Sequence, residues 1–272
     1  MPPAGSPLTV LQLTDTHFLA EAGQKMLGID TEYYFVQVLG QALADNQQVD
    51  LIILSGDLAQ DPCPGSYQRL QQHLAKISVP VLCLPGNHDD FELMQTLLNV
   101  NNSSCAKQHL FEHWQIICLN SQIPDEPGGY LAASELTLLK QALEDYPQHH
   151  ALIAMHHHCV PTNSMWMDTM LIGNSVDFLT ILQNYHQAKV IITGHIHQEL
   201  TQQIQHLQIL SAPSTCFQFT PNSRNFSIDK TAPGYRKLLL YPDGSLISSV
   251  SRLPITLNEL NLDGRGYLID NH

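Results

Sequence analysis

The stretch LTVLQLTDTH, residues 8–17, joins an apolar run to two side chains that can bind a metal, Asp15 and His17. Four more apolar runs of similar length follow along the chain, at residues 51–55, 79–84, 151–155 and 189–193. Near-continuous apolar runs of this length are typical of strands that are buried on both faces. The sequence therefore predicts five buried strands.

Polar side chains of similar chemistry follow each predicted strand directly. They are Asp15 and His17, Asp57, and the clusters GNHD at 86–89, HHH at 156–158 and GHIH at 194–197. Because the carboxyl ends of parallel strands lie along one edge of an open α/β sheet, we expect these groups to converge. A strand cap, a turn or an Asx turn would explain any one of them alone. Burying all of them without a metal would cost several kcal/mol, so the joint pattern favours a metal site.

Helices are predicted between the strands, at residues 32–46, 66–77, 91–98, 134–146 and 175–186, with Ser66, Ser134 and Ser175 as capping residues. This alternation is typical of parallel βαβ units. Shorter runs at 199–204, 207–210, 235–241 and 246–251 predict antiparallel strands of a second sheet, and the run at 116–120 is a further strand candidate for that sheet. We expect a single domain over residues 1–272, with a core at about 8–253 and a C-terminal tail at about 254–272.

The balance of charged residues limits the partners of the protein. The 272 residues include 25 Asp and Glu against 12 Lys and Arg, a formal net charge of −13, which argues against a nucleic-acid-binding surface. An anionic substrate would need another source of positive charge, and the 15 histidines suit metal binding. No segment has the pattern of a signal peptide or of a membrane span, so we expect a cytoplasmic protein without a membrane partner. Six dispersed cysteines predict reduced thiols.

The order of the motifs D-x-H, G-D, G-N-H-D, H and G-H-x-H resembles that of the calcineurin-like metallophosphoesterase family, over about residues 8–253. Within that family the chain is most similar to the class III cyclic nucleotide phosphodiesterases, in particular to the bacterial ones that act on 3',5'-cyclic AMP. The segments that carry this closer similarity are LQLTDTH (11–17), GDLAQD (56–61), GHIHQEL (194–200), PSTCFQF (213–219) and APGYR (232–236). The resemblance implies an α/β fold, an αββα sandwich of two mixed sheets flanked by helices.

The resemblance also implies a dinuclear metal centre bridged by Asp57. One metal would be held by Asp15, His17 and His197, and the other by Asn87, His156 and His195. Nitrogen and oxygen donors without thiolate fit manganese, iron, cobalt or zinc and do not fit a soft copper site. We expect two divalent or trivalent transition-metal ions, with iron and manganese favoured and zinc and cobalt as alternatives.

The reaction implied by the resemblance is the hydrolysis of 3',5'-cyclic AMP to 5'-AMP by a metal-bridging hydroxide. His88 would contact the phosphate and protonate the leaving oxygen, with Asp61 and Asp89 as candidates to orient its ring. Asp57 and His88 are thus the predicted catalytic residues. One alternative is the hydrolysis of other phosphodiesters, phosphomonoesters or nucleotide pyrophosphates on the same centre. Another is a scaffold that has lost activity, which the complete set of candidate ligands disfavours.

Residues that would bind the nucleotide are predicted less directly. Asn87, His88, His157 and Trp166 are the candidates. The loop at 159–174 carries Trp166 among three methionines and would either stack on adenine or pack onto the sheet. The segment at 213–219, with Thr215 and Phe219, would close the other side. The residues do not distinguish cyclic AMP from cyclic GMP, and a homodimer is left open.

Overall fold

The first of two large sheets contains the strand that opens the chain. The structure, a computed structural model, describes residues 5–264. Numbered along the chain, the strands of this sheet are β1 (Leu8–Leu13), β2 (Leu51–Ser55), β3 (Val81–Leu84), β4 (Ser103–Ser104), β13 (Gly234–Leu240) and β14 (Leu246–Arg252). Their order is β14-β13-β1-β2-β3-β4, in which β1 to β4 are parallel and β13 and β14 are antiparallel to their neighbours.

The second sheet has the same number of strands and is also mixed. Its strands are β5 (Gln108–Leu110), β6 (Trp114–Cys118), β7 (His150–Ala154), β8 (Ala188–Thr193), β9 (Leu200–Ile204) and β10 (Leu207–Ser211). Their order is β5-β6-β7-β8-β10-β9, with only the two edge strands antiparallel. A small two-stranded sheet pairs β11 (Gln218–Phe219) with β12 (Ile228–Asp229).

Helices cover the outer faces of the two sheets. The helices are α1 (Thr31–Asp45), α2 (Pro64–Leu74), α3 (Phe91–Leu98), α4 (Ala133–Asp145) and α5 (Ser175–Gln183), with a 3₁₀ turn at Met167–Met170. The first three pack on the first sheet, and α4 and α5 pack on the second. Between the sheets, Ile53 and Leu84 are buried with Ile116 and Leu152. The predicted αββα sandwich is confirmed. No helix within residues 5–264 combines the length and the apolarity needed to cross a bilayer.

All five predicted buried strands exist, but they belong to two different sheets. The strands β1, β2 and β3 lie in the first sheet, and β7 and β8 lie in the second. The runs predicted to form the second sheet are also divided between the two sheets. The strands β13 and β14 lie in the first sheet, where β13 pairs with β1 and Val10 lies opposite Leu238. Antiparallel pairing is confirmed between β9 and β10 and between β13 and β14, although β10 also pairs in parallel with β8. A strand buried on both faces has the same apolar pattern in either sheet, so periodicity could not reveal this division.

Helices α1, α2 and α4 begin one or two residues earlier than predicted, whereas α3 and α5 begin at the predicted residues. Ser66, Ser134 and Ser175 lie inside the first turns, and the N-cap positions are Cys63, Ala132 and Asn174. Ser66 accepts a hydrogen bond from the backbone N–H of Cys63 (3.2 Å), so it supports the helix start from within. Aspartates cap two other helices, since Asp30 accepts from the N–H of Tyr33 and Asp90 from that of Leu93, both at 3.0 Å.

The chain beyond β14 packs back onto the loop that follows β1. Leu257 and Leu260, which belong to the predicted tail, are buried with Leu19 and Met26. The backbone N–H of Asn261 donates to the carbonyl of Leu27 at 2.8 Å. Residues 265–272 of the predicted tail lie outside the described residues.

Candidate metal centre

One group of donor side chains joins the end of β1 to the end of β8. The candidate ligand atoms of Asp15, His17 and His197 lie within 4.8 Å of one another, and all three residues are fully buried. Nε2 of His197 lies 3.4 Å from Oδ1 of Asp15 and 3.1 Å from Nε2 of His17. The structure therefore brings together the three residues predicted to hold the first metal.

A second group lies at the ends of β3, β7 and β8. The rings of His156 and His195 are 5.1 Å apart between centroids, and their ligand atoms fall in one 4.8 Å group with that of His157. Nε2 of His156, Nε2 of His195 and Oδ1 of Asn87 are buried, and none has a hydrogen-bond partner within the described part of the chain. Three buried polar atoms without partners are costly unless a ligand satisfies them, and their chemistry fits a transition metal.

Asp57, at the end of β2, lies between the two groups. Its Oδ2 is 3.4 Å from Nε2 of His156 and 3.8 Å from Nε2 of His17. Its Oδ1 accepts the backbone N–H of His88 at 3.0 Å. One carboxylate thus faces a histidine from each predicted ligand set, which is the position that a bridging ligand requires.

The backbone adopts an uncommon conformation at these residues. Asp15, His17, Asp57, His195 and His197 all have positive φ, between 46° and 68°. Non-glycine residues in this region cost roughly 1–3 kcal/mol each and persist only where the surroundings hold them. Here the N–H groups of Asp15 and His17 donate to the carbonyls of the Gly-Asp turn after β2, both at 3.0 Å. Backbone strain therefore concentrates at the candidate centre.

Two motif glycines allow the strand ends to approach one another. A Cβ atom at Gly86 would lie 2.1 Å from Oδ1 of Asp57. A Cβ atom at Gly56, whose φ is +98°, would lie 2.3 Å from Nδ1 of His156. Both distances are far below a van der Waals contact, so glycine is required at these positions.

In three of the candidate histidine ligands, Nδ1 lies within hydrogen-bond distance of an oxygen atom. The partners of Nδ1 are the carbonyl of Ser55 for His156 (2.9 Å), the carbonyl of Phe217 for His197 (2.8 Å) and Oε1 of Gln60 for His17 (3.0 Å). An N–H at Nδ1 leaves the lone pair of Nε2 directed at the centre, as metal-bound histidines require. Sequence analysis missed the two carbonyls because a main-chain acceptor has no residue signature.

Burial and charge set the protonation of these groups. Burial lowers the pKa of His17 to about 3 and holds that of His195 well below its ordinary value, so both rings are neutral, as ligands must be. Burial also opposes the charge on His156, but the neighbouring Asp57 outweighs it and raises the pKa of His156 to about 9. Although burial favours the protonated form of Asp57, electrostatic attraction to the neighbouring His156 keeps the pKa of Asp57 well below its usual range. The Asp57 carboxylate therefore attracts positive charge at this point.

Asp89 joins the two loops that carry Asp57 and Asn87. Its carboxylate accepts the backbone N–H groups of Gly86 (2.9 Å), Leu58 (3.0 Å) and Ala59 (2.9 Å), and the hydroxyl of Tyr67 (2.9 Å). Burial, with repulsion from Asp57, raises the pKa of Asp89 to about 6, while the amide donors act in the opposite direction. Asp61 accepts the N–H of Ala20 at 3.2 Å. The orienting role considered for these two carboxylates stays a prediction.

The Asp89→Ala substitution should destabilise the fold even without metal. Three buried amides would lose their acceptor, so we expect the free energy of unfolding to fall by about 3 kcal/mol. Denaturant titration in the presence of a chelator measures this loss. Tyr67→Phe, which removes only the hydroxyl, should cost about 1 kcal/mol. An Asp89→Ala protein as stable as wild type would show that Asp89 does not hold these loops.

A cavity of about 440 Å³ opens beside the centre. Its lining includes Asn87, His88 and His195 as well as the aromatic side chains of Trp166 and Phe226. The Trp166 ring meets Phe226 edge to face at 5.2 Å between centroids, and its Nε1 is buried without a hydrogen-bond partner among the described residues. The structure thus places three of the four candidate nucleotide-binding residues, Asn87, His88 and Trp166, in the cavity wall.

His157, the fourth candidate, is fully buried and is not among the residues that line the cavity. Its Nδ1 lies 2.8 Å from Oγ of Ser121, and its ring lies 4.7 Å from that of His195 between centroids. Ser121 carried no signal in the sequence, because a lone serine after a strand is common. The contact of His157 with substrate stays a prediction.

The segment at 213–219 packs against the first donor group. Phe219 stacks on His197 at 4.3 Å between ring centroids, and the hydroxyl of Ser214 donates to the carbonyl of Asp15 at 2.8 Å. The backbone N–H of Thr215 donates to the carbonyl of Thr14 at 3.1 Å. In the loop at 159–174, Met167 is buried while Met165 is 61% exposed. This loop therefore both packs onto the fold and forms a wall of the cavity.

Comparison with known proteins gives one family. The family model for calcineurin-like phosphoesterases matches residues 8–199. The 3',5'-cyclic adenosine monophosphate phosphodiesterase CpdA of Haemophilus influenzae is 36% identical over 261 residues, which cover 96% of this chain and 95% of that protein. Its counterpart in Escherichia coli K12 is 37% identical over 269 residues, or 98% of each chain.

A solved structure shares the fold at low sequence identity. The crystal structure of a dimetal phosphatase from Danio rerio superposes with a TM-score of 0.60 at 15% identity, covering 90% of this chain and 99% of that one. At this identity the likeness concerns the fold alone, and it agrees with the αββα sandwich. The family model matches most of the chain, the two relatives align over nearly all of it, and the motifs at the strand ends occur in the expected order. The chain therefore belongs to the calcineurin-like phosphoesterase family.

Proposed function

We propose that this chain is a metal-dependent phosphodiesterase that hydrolyses 3',5'-cyclic AMP to 5'-AMP. The observation that carries the proposal is the pair of buried donor groups that meet at Asp57 beside a cavity of about 440 Å³, a size that suits a nucleotide. The activity named for the relatives, which align over nearly the whole chain, supports the choice of substrate.

Seven side chains would hold the metals. Asp15, His17 and His197 would bind the first ion, Asn87, His156 and His195 the second, and Asp57 both. These nitrogen and oxygen donors favour iron or manganese, with zinc and cobalt as alternatives. Two such ions would supply the positive charge that activates water and neutralises the attacking and leaving oxygens of the phosphate.

The remaining chemistry falls to the side chains that line the cavity. Water adds to phosphorus, the bond from phosphorus to O3' breaks, and a proton must reach O3'. His88 lies at the cavity wall, and its backbone is held by Asp57, so its ring can deliver that proton. Trp166, which also lines the cavity, would contact the base through its aromatic ring.

The proposal includes a cytoplasmic protein whose partner is the cyclic nucleotide. All six cysteines lie within the described residues and are free thiols, and five of them are buried. Buried free thiols are typical of proteins in a reducing compartment.

A panel of substrates tests the proposed function. We expect kcat/KM with added Mn²⁺ to be highest for 3',5'-cyclic AMP, and at least about tenfold lower for 4-nitrophenyl phosphate and ADP-ribose. Cyclic GMP in the same panel measures the base preference. Dialysis against a chelator should abolish turnover, and Mn²⁺ should restore it. Faster turnover of the monoester or the pyrophosphate, or undiminished activity in metal-free protein, would contradict the proposal.

A further inference from the structure

Two exposed acidic side chains belong to the wall of the cavity beside the metal centre. Asp125 and Glu126 line the cavity and are exposed, and they lie at the tip of the loop between β6 and α4. They are adjacent in a tight turn, in which the N–H of Glu126 donates to the carbonyl of Ile123 at 3.2 Å. We call this pair the acidic lip.

The loop that carries the acidic lip is anchored at its base. Gln122 and Gly129 form a β-bridge, and the N–H of Tyr130 donates to the carbonyl of Ser121 at 2.9 Å. The side chain of Gln122 also donates to the carbonyl of Asp89, in the loop that carries Asn87. These contacts hold the acidic lip at a set position relative to the centre.

The rest of the cavity wall offers no counter-charge to a second phosphate. No lysine or arginine occurs among the lining residues, and the wall beside the acidic lip is formed by Trp166, Met167 and Met170. Among the lining residues, Oδ1 of Asn87 and Nε2 of His195 are buried without hydrogen-bond partners and belong to the proposed metal ligands, and His195 is 94% buried. The buried Nε1 of Trp166 also lacks a partner there, but the indole ring carries no charge. The lining therefore combines two exposed carboxylates with no lysine or arginine that could neutralise a further phosphate.

We propose that Asp125 and Glu126 select substrates with a single phosphate charge by repelling nucleotides that carry further phosphates. This inference rests on the proposed function, since it names the class of substrate that the same site accepts. A cyclic phosphodiester has one negative charge, whereas each phosphomonoester carries roughly −1.5 to −2 at neutral pH. Like charges near one another disfavour binding, and salt screens the repulsion between exposed groups.

The test uses adenosine 3',5'-bisphosphate, which shares its base and sugar with cyclic AMP but carries two phosphomonoesters. Calorimetry on the full-length, Mn²⁺-loaded protein gives its Kd for wild type and for the Asp125→Asn/Glu126→Gln double variant. We expect the double variant to bind the bisphosphate about fivefold to tenfold more tightly than wild type at low salt. Near a salt concentration of about 1 M, the two Kd values should become equal. The kcat/KM for cyclic AMP should gain less, about twofold to threefold.

The control is the Glu112→Gln/Asp145→Asn double variant, which changes the net charge equally. Both residues are exposed, and Glu112 lies two residues before β6 while Asp145 is the last residue of α4, which precedes β7. Both therefore lie toward the amino ends of these strands, whereas the centre lies at the carboxyl ends. An unchanged Kd in the lip variant, or the same change of Kd in the control variant, would overturn the proposal. A difference in Kd between wild type and the lip variant that persists at high salt would also overturn it. Because the readout is binding, a protein that failed to hydrolyse cyclic AMP would refute the proposed function and still report on the acidic lip.

Discussion

Asp57→Ala should lose bound metal and catalytic activity together. Asp57 faces His156 at 3.4 Å and His17 at 3.8 Å, so its removal takes an anionic ligand from both predicted sites. Two cations would then repel each other across a short gap without a shared negative charge. We expect the metal content to fall from two ions per chain to one or none, and kcat/KM to fall by at least about 10³-fold. Elemental analysis and kinetics on the same preparation measure both losses.

Asp57→Asn is the matched variant for this experiment. In the wild-type protein Oδ1 of Asp57 accepts the N–H of His88 at 3.0 Å. The amide oxygen of the Asn variant can still accept this hydrogen bond, but the negative charge is gone. If charge bridges the two ions, this variant should lose metal nearly as completely as the alanine variant. Two ions and wild-type turnover in either variant would remove Asp57 from the bridging position.

His88→Ala should impair cyclic AMP hydrolysis far more than hydrolysis of an activated diester. The 3' oxygen of ribose is a strongly basic leaving group, and general-acid catalysis of its departure contributes about 10² to 10⁴-fold. A 4-nitrophenolate ion leaves with little help from an acid. We therefore expect kcat for cyclic AMP to fall by about 10²-fold or more and kcat for bis(4-nitrophenyl) phosphate to fall much less.

Metal content decides between two roles for His88. Its ring lies edge-on to His17 at 5.4 Å between centroids, and its ligand atom falls within 4.8 Å of those of His17 and Asp57. A general acid can be removed without loss of metal, whereas a ligand cannot. Equal losses on the two substrates, or a loss of metal, would exclude the acid role. His113→Ala, at the far edge of the second sheet, is the control and should change neither rate.

The residues that converge at the centre were predictable because each follows a buried strand. Asp15, Asp57 and His195 all come directly after such a strand. The apolar pattern that marks a buried strand is encoded locally in the sequence. Helix α3 was predicted with its observed bounds, since Asp90 caps it and apolar residues repeat along it. The motifs therefore indicated the site before any contact was known.

Features that depend on distant contacts were not predictable from the same patterns. Nothing in the apolar run of β13 shows that it pairs with β1 and not with the second sheet. The role of Asp89 depends on amides contributed by another loop, and Phe217 holds His197 through its carbonyl, where residue type has no influence. Exposed acids such as Asp125 look like any solvated loop until the cavity beside them is seen.

The central claim is that two metals share Asp57, and anomalous diffraction from a Mn²⁺-loaded crystal tests it most directly. We predict two anomalous peaks about 3.5–4 Å apart, both in contact with the Asp57 carboxylate. One peak should also contact Asp15, His17 and His197, and the other Asn87, His156 and His195. A single peak, or two peaks of which only one contacts Asp57, would contradict the account.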